Sequence, residues 1–315
     1  MYHGSMKKLI MDIDIGIDDA LALAYAVSLE EYDLIGVTAA FGNVDQKTSQ
    51  KNALKVLKAL KREDVPVYPG EVGADGRTPY VPRAQRVHGE NGLGNVDFPD
   101  SDRAVESTPA WAFIASSIEE YGKDLTLFAS GPLTNLARVY RERPDLVGRS
   151  GSIVVMGGAL FVEGNVSPTA EANTIHDPEA ALFLFSLGLD IVSIGLDVTE
   201  RIHLSSSDMD EWRSECGERF RKMTEFYIGF HTMNEPNVND VCFLHDPAAA
   251  LYLSHPELFT VHPFPIKVAL EGDVRGRTYA SYSEGIPCTT RFAIDVDKEG
   301  AERCLKESWN RLFSL

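Results

Sequence analysis

The sequence predicts an α/β fold, with a mostly parallel open sheet, helices on both faces and a small β segment near the C-terminus. Three observations carry this. Short Ile- and Val-rich runs alternate with segments of helical period over two thirds of the chain, the βαβ pattern of a parallel sheet. No repeat, low-complexity tract or Ser/Gly-rich linker interrupts the pattern, so 6–315 reads as a single domain. Late in the chain the alternation gives way to strand-like runs joined by Gly-containing turns.

In order, Lys8–Ile13 reads as a strand, Ala20–Leu29 as a helix, Leu34–Ala40 as a strand, Ser49–Leu60 as a helix and Val65–Tyr68 as a strand. Gly73–Val96 is the longest stretch without periodicity, and loops of that length are usually functional or mobile. Thr108-Pro109 opens a helix through Tyr121, with Thr as cap and Pro at the first helical position. Leu125–Ala129, Ser152–Met156 and Asp190–Ile194 read as strands, with helices Leu133–Tyr140 and Asp177–Ser186 between them. A long amphipathic helix is expected over Ser207–Phe230 and a short one over Asp246–Leu253. Phe264–Leu270, Arg277–Ser281 and Cys288–Val296 read as strands, and Lys298–Phe313 as the closing helix.

Composition narrows the function. The 315 residues include 30 Lys+Arg against 47 Asp+Glu, a formal charge of −17, which argues against binding nucleic acid or an anionic membrane by bulk charge. A hydrophobic content of 44% suits a globular core and not a disordered chain. No secretory signal or apolar run of about 18 residues is present, so a cytoplasmic protein is expected. Met1–Ser5 reads as an added leader ahead of a native start at Met6. Cys216, Cys242, Cys288 and Cys304 form no CxxC pair and read as buried free thiols.

The strongest local signal is Asp12-Ile13-Asp14-Ile15-Gly16-Ile17-Asp18-Asp19-Ala20, at the end of the first strand and the start of the first helix. Four carboxylates in eight residues repel unless a cation or a helix N-terminus compensates them. The carboxyl ends of strands are where open α/β sheets bind ligands, and oxygen donors at this density suit Ca²⁺ or Mg²⁺. Asp18 as a helix cap among solvated acids is the structural alternative.

Two families carry such a cluster. The haloacid dehalogenase-like phosphatases open with a strand ending Asp-x-Asp, but normally place Thr or Val where this chain has Gly16. The nucleoside hydrolases open with Asp-x-Asp-x-Gly-x-Asp-Asp-Ala, which this sequence resembles closely, with Ile15 where proline is usual. The resemblance continues through Phe41-Gly42-Asn43-Val44, Ser130-Gly131-Pro132-Leu133-Thr134-Asn135, Met156-Gly157-Gly158, Glu171-Ala172-Asn173, Asp177-Pro178-Glu179-Ala180-Ala181 and His245-Asp246-Pro247. Each element alone is weak; seven in family order are specific.

The resemblance implies a Rossmann-like sheet and Ca²⁺-dependent hydrolysis of ribonucleosides to ribose and free base, in nucleoside salvage, with no organic cofactor. It implies Asp14, Asp19, Asp246 and the Ser130 carbonyl as metal ligands, Asp14 as general base, and Asn43 supporting the metal and water. Asp18 and Asn173 would bind ribose hydroxyls, Glu171 and Asn165 the 5′-hydroxyl (with Gly164 the alternative to Asn165), and Met156 would pack on the sugar. Glu171 and Asn173, two apart, share a face if that segment is extended. His245 is the candidate acid toward the leaving base, and His88 matches an active-site His-Gly element. Tyr227, His231 and Asn234 fall where leaving-group contacts of the family tend to lie, but are not assigned to catalysis. A homodimer or homotetramer is implied. The competing readings are the phosphatase and a binding-only member that retains metal ligation.

Overall fold

The computed structural model describes residues 6–235 and 237–314; the expected leader, 1–5, lies outside the described residues. Six parallel strands come first: β1 (Lys7–Ile13), β2 (Tyr32–Ala39), β3 (Val67–Pro69), β4 (Leu125–Ala129), β5 (Ile153–Met156) and β6 (Ile191–Ile194). A small antiparallel pair, β7 (His203–Ser205) and β8 (Val241–Phe243), stands apart from them. The C-terminal part adds β9 (Phe259–Phe264), the hairpin β10 (Ile266–Val268) with β11 (Thr278–Ala280), and β12 (Thr290–Val296). The main sheet has eight strands in the order β3-β2-β1-β4-β5-β6-β12-β9, all parallel except the edge strand β9.

This order positions the site. From β1 the chain winds outward to β2 and β3, then returns to β1's other side for β4, β5 and β6, so the direction reverses between β1 and β4. Crossover loops on the two sides diverge there and leave a crevice at the strands' carboxyl ends. The loops after β1, β2, β4 and β5 carry Asp14, Asn43, Ser130 and Gly157.

Helices cover both faces because the strands are apolar on both sides. Leu9, Met11 and Ile13 of β1 face one buried cluster and Ile10 the other. The closing helix Lys298–Phe313 is pinned by Trp309, which is fully buried, lies 6.0 Å from the Trp212 ring and donates from Nε1 to the Leu21 carbonyl at 3.2 Å. Among the described residues no helix is long and apolar enough to cross a membrane.

Several expected elements differ in detail. The strand expected over Phe264–Leu270 is split by Pro265, which has no N–H to give, into the end of β9 and the separate β10. The helix expected over Ser207–Phe230 is a 3₁₀ turn, Ser206–Met209, followed by a helix Glu215–Asn234 that starts afresh at Ser214, whose hydroxyl accepts from the Gly217 N–H. Pro109 is the cap of its helix and not the first helical residue; its ψ of 146° is extended, and Thr108 lies outside. Glu171 and Asn173 do not share an extended segment: Glu171 caps a short helix, Ala172–His176. Asp177 caps the next helix, Pro178–Ser186, accepting from the Ala180 N–H and from Thr134 Oγ1 at 2.6 Å. Of the four free cysteines Cys242 is buried, but Cys288 is exposed, contrary to expectation.

Truncating Trp309 to Ala should cost about 3–5 kcal/mol, read as a lower urea midpoint, because the helix would lose a filled volume and a buried hydrogen bond. An unchanged midpoint would mean the closing helix is not cooperative with the sheet.

Candidate active site

The acidic segment folds as it does because two helix starts meet there. Ile17–Ala26 begins with Asp18 and Asp19 in its first turn, and His245–Tyr252 begins with Asp246 in its own; the two helices pack together. Both N-terminal dipoles therefore point at the same carboxylates. Oxygens of Asp18, Asp19 and Asp246 converge within 4.8 Å of one another. Asp14 lies beside them, with Oδ2 accepting from the Asn43 N–H at 2.6 Å and Oδ1 from Asn43 Nδ2 at 3.2 Å. That turn needs glycine, because a Cβ on Gly42, at φ +150°, would fall 1.9 Å from Asp14 Oδ2.

All four carboxylates are buried, and no lysine or arginine pairs with them among the described residues. Burial, then the charges of the neighbouring acids, pushes Asp18 up to about 7 and raises Asp14 and Asp246 well above the carboxylate range. Asp19 is raised by burial too, against the donors it accepts from: Ser130 Oγ at 2.6 Å, the Gly16 N–H at 2.8 Å and Asn43 Nδ2 at 3.0 Å. Asp18 Oδ1 and Asp246 Oδ2 are buried with no hydrogen-bond partner. Orphaned hard oxygens on carboxylates that lack a counter-charge fit an oxygen-coordinated divalent cation. Geometry adds Asp18 to the set the sequence suggested. The Ser130 carbonyl is held by Asn173 Nδ2 at 2.9 Å, which also reaches the Met156 carbonyl at 3.2 Å.

Asp12 has a different environment. Its Oδ1 accepts from Thr38 Oγ1 at 2.5 Å and Asn135 Nδ2 at 2.8 Å, away from the cavity, so it is not placed as a phosphoryl-accepting nucleophile.

Above the carboxylates opens a cavity of about 840 Å³. Asp18, Asn43, Ser130, Met156, Asn173 and Asp246 line its floor. Glu171 lies at one side with its carboxylate engaged by the Gly158, Asn173 and Thr174 N–H groups; burial still raises it. Asn165 also lines the cavity, exposed, with Oδ1 accepting from the Ala172 N–H. Gly164 is not on the wall.

Four histidines line this space, each neutral because burial dominates: His88 and His245 are pushed down to about 3, and His176 and His231 to about 4. His88 Nδ1 accepts from the Ile17 N–H at 3.1 Å, so it caps the first helix and carries its own hydrogen on Nε2. His245 Nδ1 lies 2.8 Å from Thr199 Oγ1. Thr199 is fully buried and its hydroxyl has no other acceptor among the described residues, so it donates to Nδ1 and leaves Nε2–H. Thr199 escaped the sequence reading because no local motif links it to a histidine 46 residues away. Glu200, Glu235, Phe243 and Tyr80 also line the cavity without a sequence signal.

Residues 9–303 match the family described as inosine-uridine preferring nucleoside hydrolase. The chain is 37% identical to uridine nucleosidase 1 of Arabidopsis thaliana, covering 87% of this chain and 82% of that one. It is 34% identical to the pyrimidine-specific ribonucleoside hydrolase RihA of Klebsiella pneumoniae, over 92% and 94%. A purine-preferring ribonucleoside hydrolase from Gardnerella vaginalis superposes with a TM-score of 0.94 at 36% identity, over 98% of this chain and 99% of the other.

Glu200 gives a test of the cavity's electrostatics. Burial, with Glu235 and Asp197 nearby, pushes its carboxyl from 4.5 up to about 7. The folded state then holds this proton more tightly than the unfolded one, so Glu200 lowers stability as pH rises from 4.5 through 7. Thermal melts between pH 4.5 and 8 should fall less steeply in Glu200→Gln than in the unmodified protein. Parallel curves would show Glu200 to be solvated.

Proposed function

Because the chain belongs to the inosine-uridine preferring nucleoside hydrolase family, and is a nucleoside hydrolase, we propose that it splits ribonucleosides with Ca²⁺ as the required metal, in nucleoside salvage. One observation carries the metal reading: buried, unpaired carboxylates whose oxygens converge on the floor of a cavity of about 840 Å³. Hydrolysis of a neutral nucleoside breaks the bond from C1′ to the base nitrogen and forms a bond from C1′ to water oxygen. The ring passes through an oxocarbenium-like state, and the base leaves with negative charge.

Asp14, Asp18, Asp19, Asp246 and the Ser130 carbonyl would hold the cation. When bound, Ca²⁺ supplies the charge that draws in the ribose diol and makes water a better nucleophile. Asp14 takes the proton from the attacking water, and Asn43, which donates to both Asp14 oxygens, fixes that carboxylate's orientation. Asp18 and Asn173 bind ribose hydroxyls, and Met156 packs on the sugar. Asn165 and Glu171 serve the 5′-hydroxyl, Glu171 through the loop it caps as much as directly, since backbone donors already occupy it. His245 aims Nε2–H at the departing base, and that hydrogen bond strengthens as negative charge develops. His88 supports the first helix start from the cavity wall.

Assaying release of reducing sugar from inosine, adenosine, guanosine, uridine and cytidine, before and after chelation and return of Ca²⁺, tests this directly. Metal-dependent ribose release is expected, with a loss of about 10³-fold in Asp14→Ala. Full activity in that variant would sink the mechanism. Uridine should outpace deoxyuridine, since the 2′-hydroxyl is a contact; equal rates would contradict it. Thr199→Val should lower kcat about tenfold with less effect on KM, as His245 loses the partner that fixes its proton on Nε2.

A further inference from the structure

One side of the cavity is built where two chain segments meet at Tyr80 and His176. The Tyr80 hydroxyl lies 3.0 Å from His176 Nε2, and the Tyr80 ring is 5.1 Å from that of Phe41. Val81 follows Tyr80, and Ile175 precedes His176 on the short helix Ala172–His176. Val166 follows Asn165, whose Oδ1 accepts from the Ala172 N–H at the start of that same helix. All of these residues line the cavity. The chain therefore gathers Val81, Val166, Ala172 and Ile175 into an apolar wall beside Glu171 and Asn165, where the 5′ end of a nucleoside is read to lie.

Few hydrogen-bonding groups remain free on this wall. Glu171 Oε2 accepts from the Gly158 N–H, the Thr174 N–H and Thr174 Oγ1, and its Oε1 from the Asn173 N–H. Thr78 Oγ1 donates to Asp75, and Tyr80 and His176 satisfy each other. Asn165 Nδ2 has no partner among the described residues and is a donor only. A 5′-hydroxyl proton thus finds only the partly used Glu171 Oε1 as an acceptor. Meanwhile Val81 and Val166 are 72% and 55% exposed, apolar surface that a ligand would take out of water. Charge argues against a 5′-phosphate. Among the described residues Arg83 is the sole lysine or arginine lining the cavity, against six carboxylates.

We propose that the enzyme also hydrolyses nucleosides whose 5′-hydroxyl is replaced by a small alkylthio group, seated against Val81, Val166 and Ile175. Sulfur suits the place. A thioether has no proton to give, is polarizable enough to favour ring edges such as those of Phe41 and Tyr80, and accepts weakly from an amide such as Asn165 Nδ2. Water is the only co-reactant. The bond from C1′ to the base nitrogen breaks with its electron pair going to the base, the bond from C1′ to water oxygen forms, and the water proton passes to Asp14. The C5′–S bond is untouched, so the products are a 5-alkylthioribose and the free base.

This inference rests on the hydrolase reading and adds a substrate class to that same site. The test is the ratio of kcat/KM for 5′-deoxy-5′-methylthiouridine over uridine, and for the methylthio derivative of inosine over inosine, in the Ca²⁺-loaded enzyme and in Val166→Asp. Each pair shares its base, so the ease with which the base leaves cancels, and the pair with the faster parent is scored. Its ratio should be at least about 0.1, whereas a site built around a hydroxyl rejects the analogue lacking it by about 10⁴-fold or more. Val166→Asp sets a carboxylate against the thioether and should lower the ratio about tenfold. A ratio below about 0.1, or one that the variant leaves unchanged, would overturn the proposal. So would hydrolysis of uridine 5′-monophosphate as fast as that of the thioether. Val81→Asp, at another exposed position, replaces the first variant if that one does not fold. Sugar release from none of these nucleosides would count against the hydrolase reading instead. Calorimetry on the Ca²⁺-loaded protein still judges the wall in that case: 5-methylthioribose binding tighter than ribose supports it, and equal or weaker binding rejects it.

Discussion

Like charges held out of water are the constraint on which this structure turns. Asp14, Asp18, Asp19 and Asp246 are buried together at the point where the sheet's winding reverses, and each would be more comfortable apart or hydrated. Much of the neighbourhood works to keep them there. Two helix N-termini face them, the Asn43 turn approaches so closely that only glycine fits before it, and Ser130 ties a second strand end to Asp19. The raised carboxyl values of the cluster are the mark of interactions that a bound cation would complete.

Around that floor the protein uses histidine in an uncharged form. A backbone N–H fixes His88, a buried hydroxyl fixes His245, and a backbone carbonyl fixes His231. Because the partner of each Nδ1 differs, chemically identical rings present different faces. His245 shows a donor and His231 an acceptor, although burial is the main cause that keeps both neutral. Polarity around the cavity is thus written by the group that each Nδ1 meets.

The sequence was most readable where local chemistry and fold agree. Asp12–Ala20 announces a strand end, a tight turn and a helix start in nine residues, and Gly42-Asn43 and Ser130-Gly131 follow strands that the βαβ alternation already locates. What it hid depends on long-range packing. Thr199 meets His245, and Tyr80 meets His176 at 3.0 Å, across separations no motif spans. Glu171 reads as a ligand contact beside Asn173, yet in three dimensions its carboxylate is largely spent on backbone N–H groups. The split at Pro265 and the fresh start at Ser214 were local signals outweighed by apolar runs that continue past them. Asp12 shows the converse, since Asp-x-Asp suggests a paired role while Thr38 and Asn135 turn its side chain into the scaffold.

The margins of the main sheet carry a consequence for how copies of this chain can meet. At one margin β3 is three residues long and ends in Pro69; at the other, β9 contains Pro263 and stops before Pro265. Neither offers the uninterrupted row of backbone donors and acceptors that an incoming strand requires. Self-association by sheet extension, including the runaway kind that seeds fibrils, is therefore blocked at both ends. Copies of the chain that associate are therefore expected to meet through surfaces other than these two edges, which leaves the hydrogen-bonded ladder of the main sheet intact.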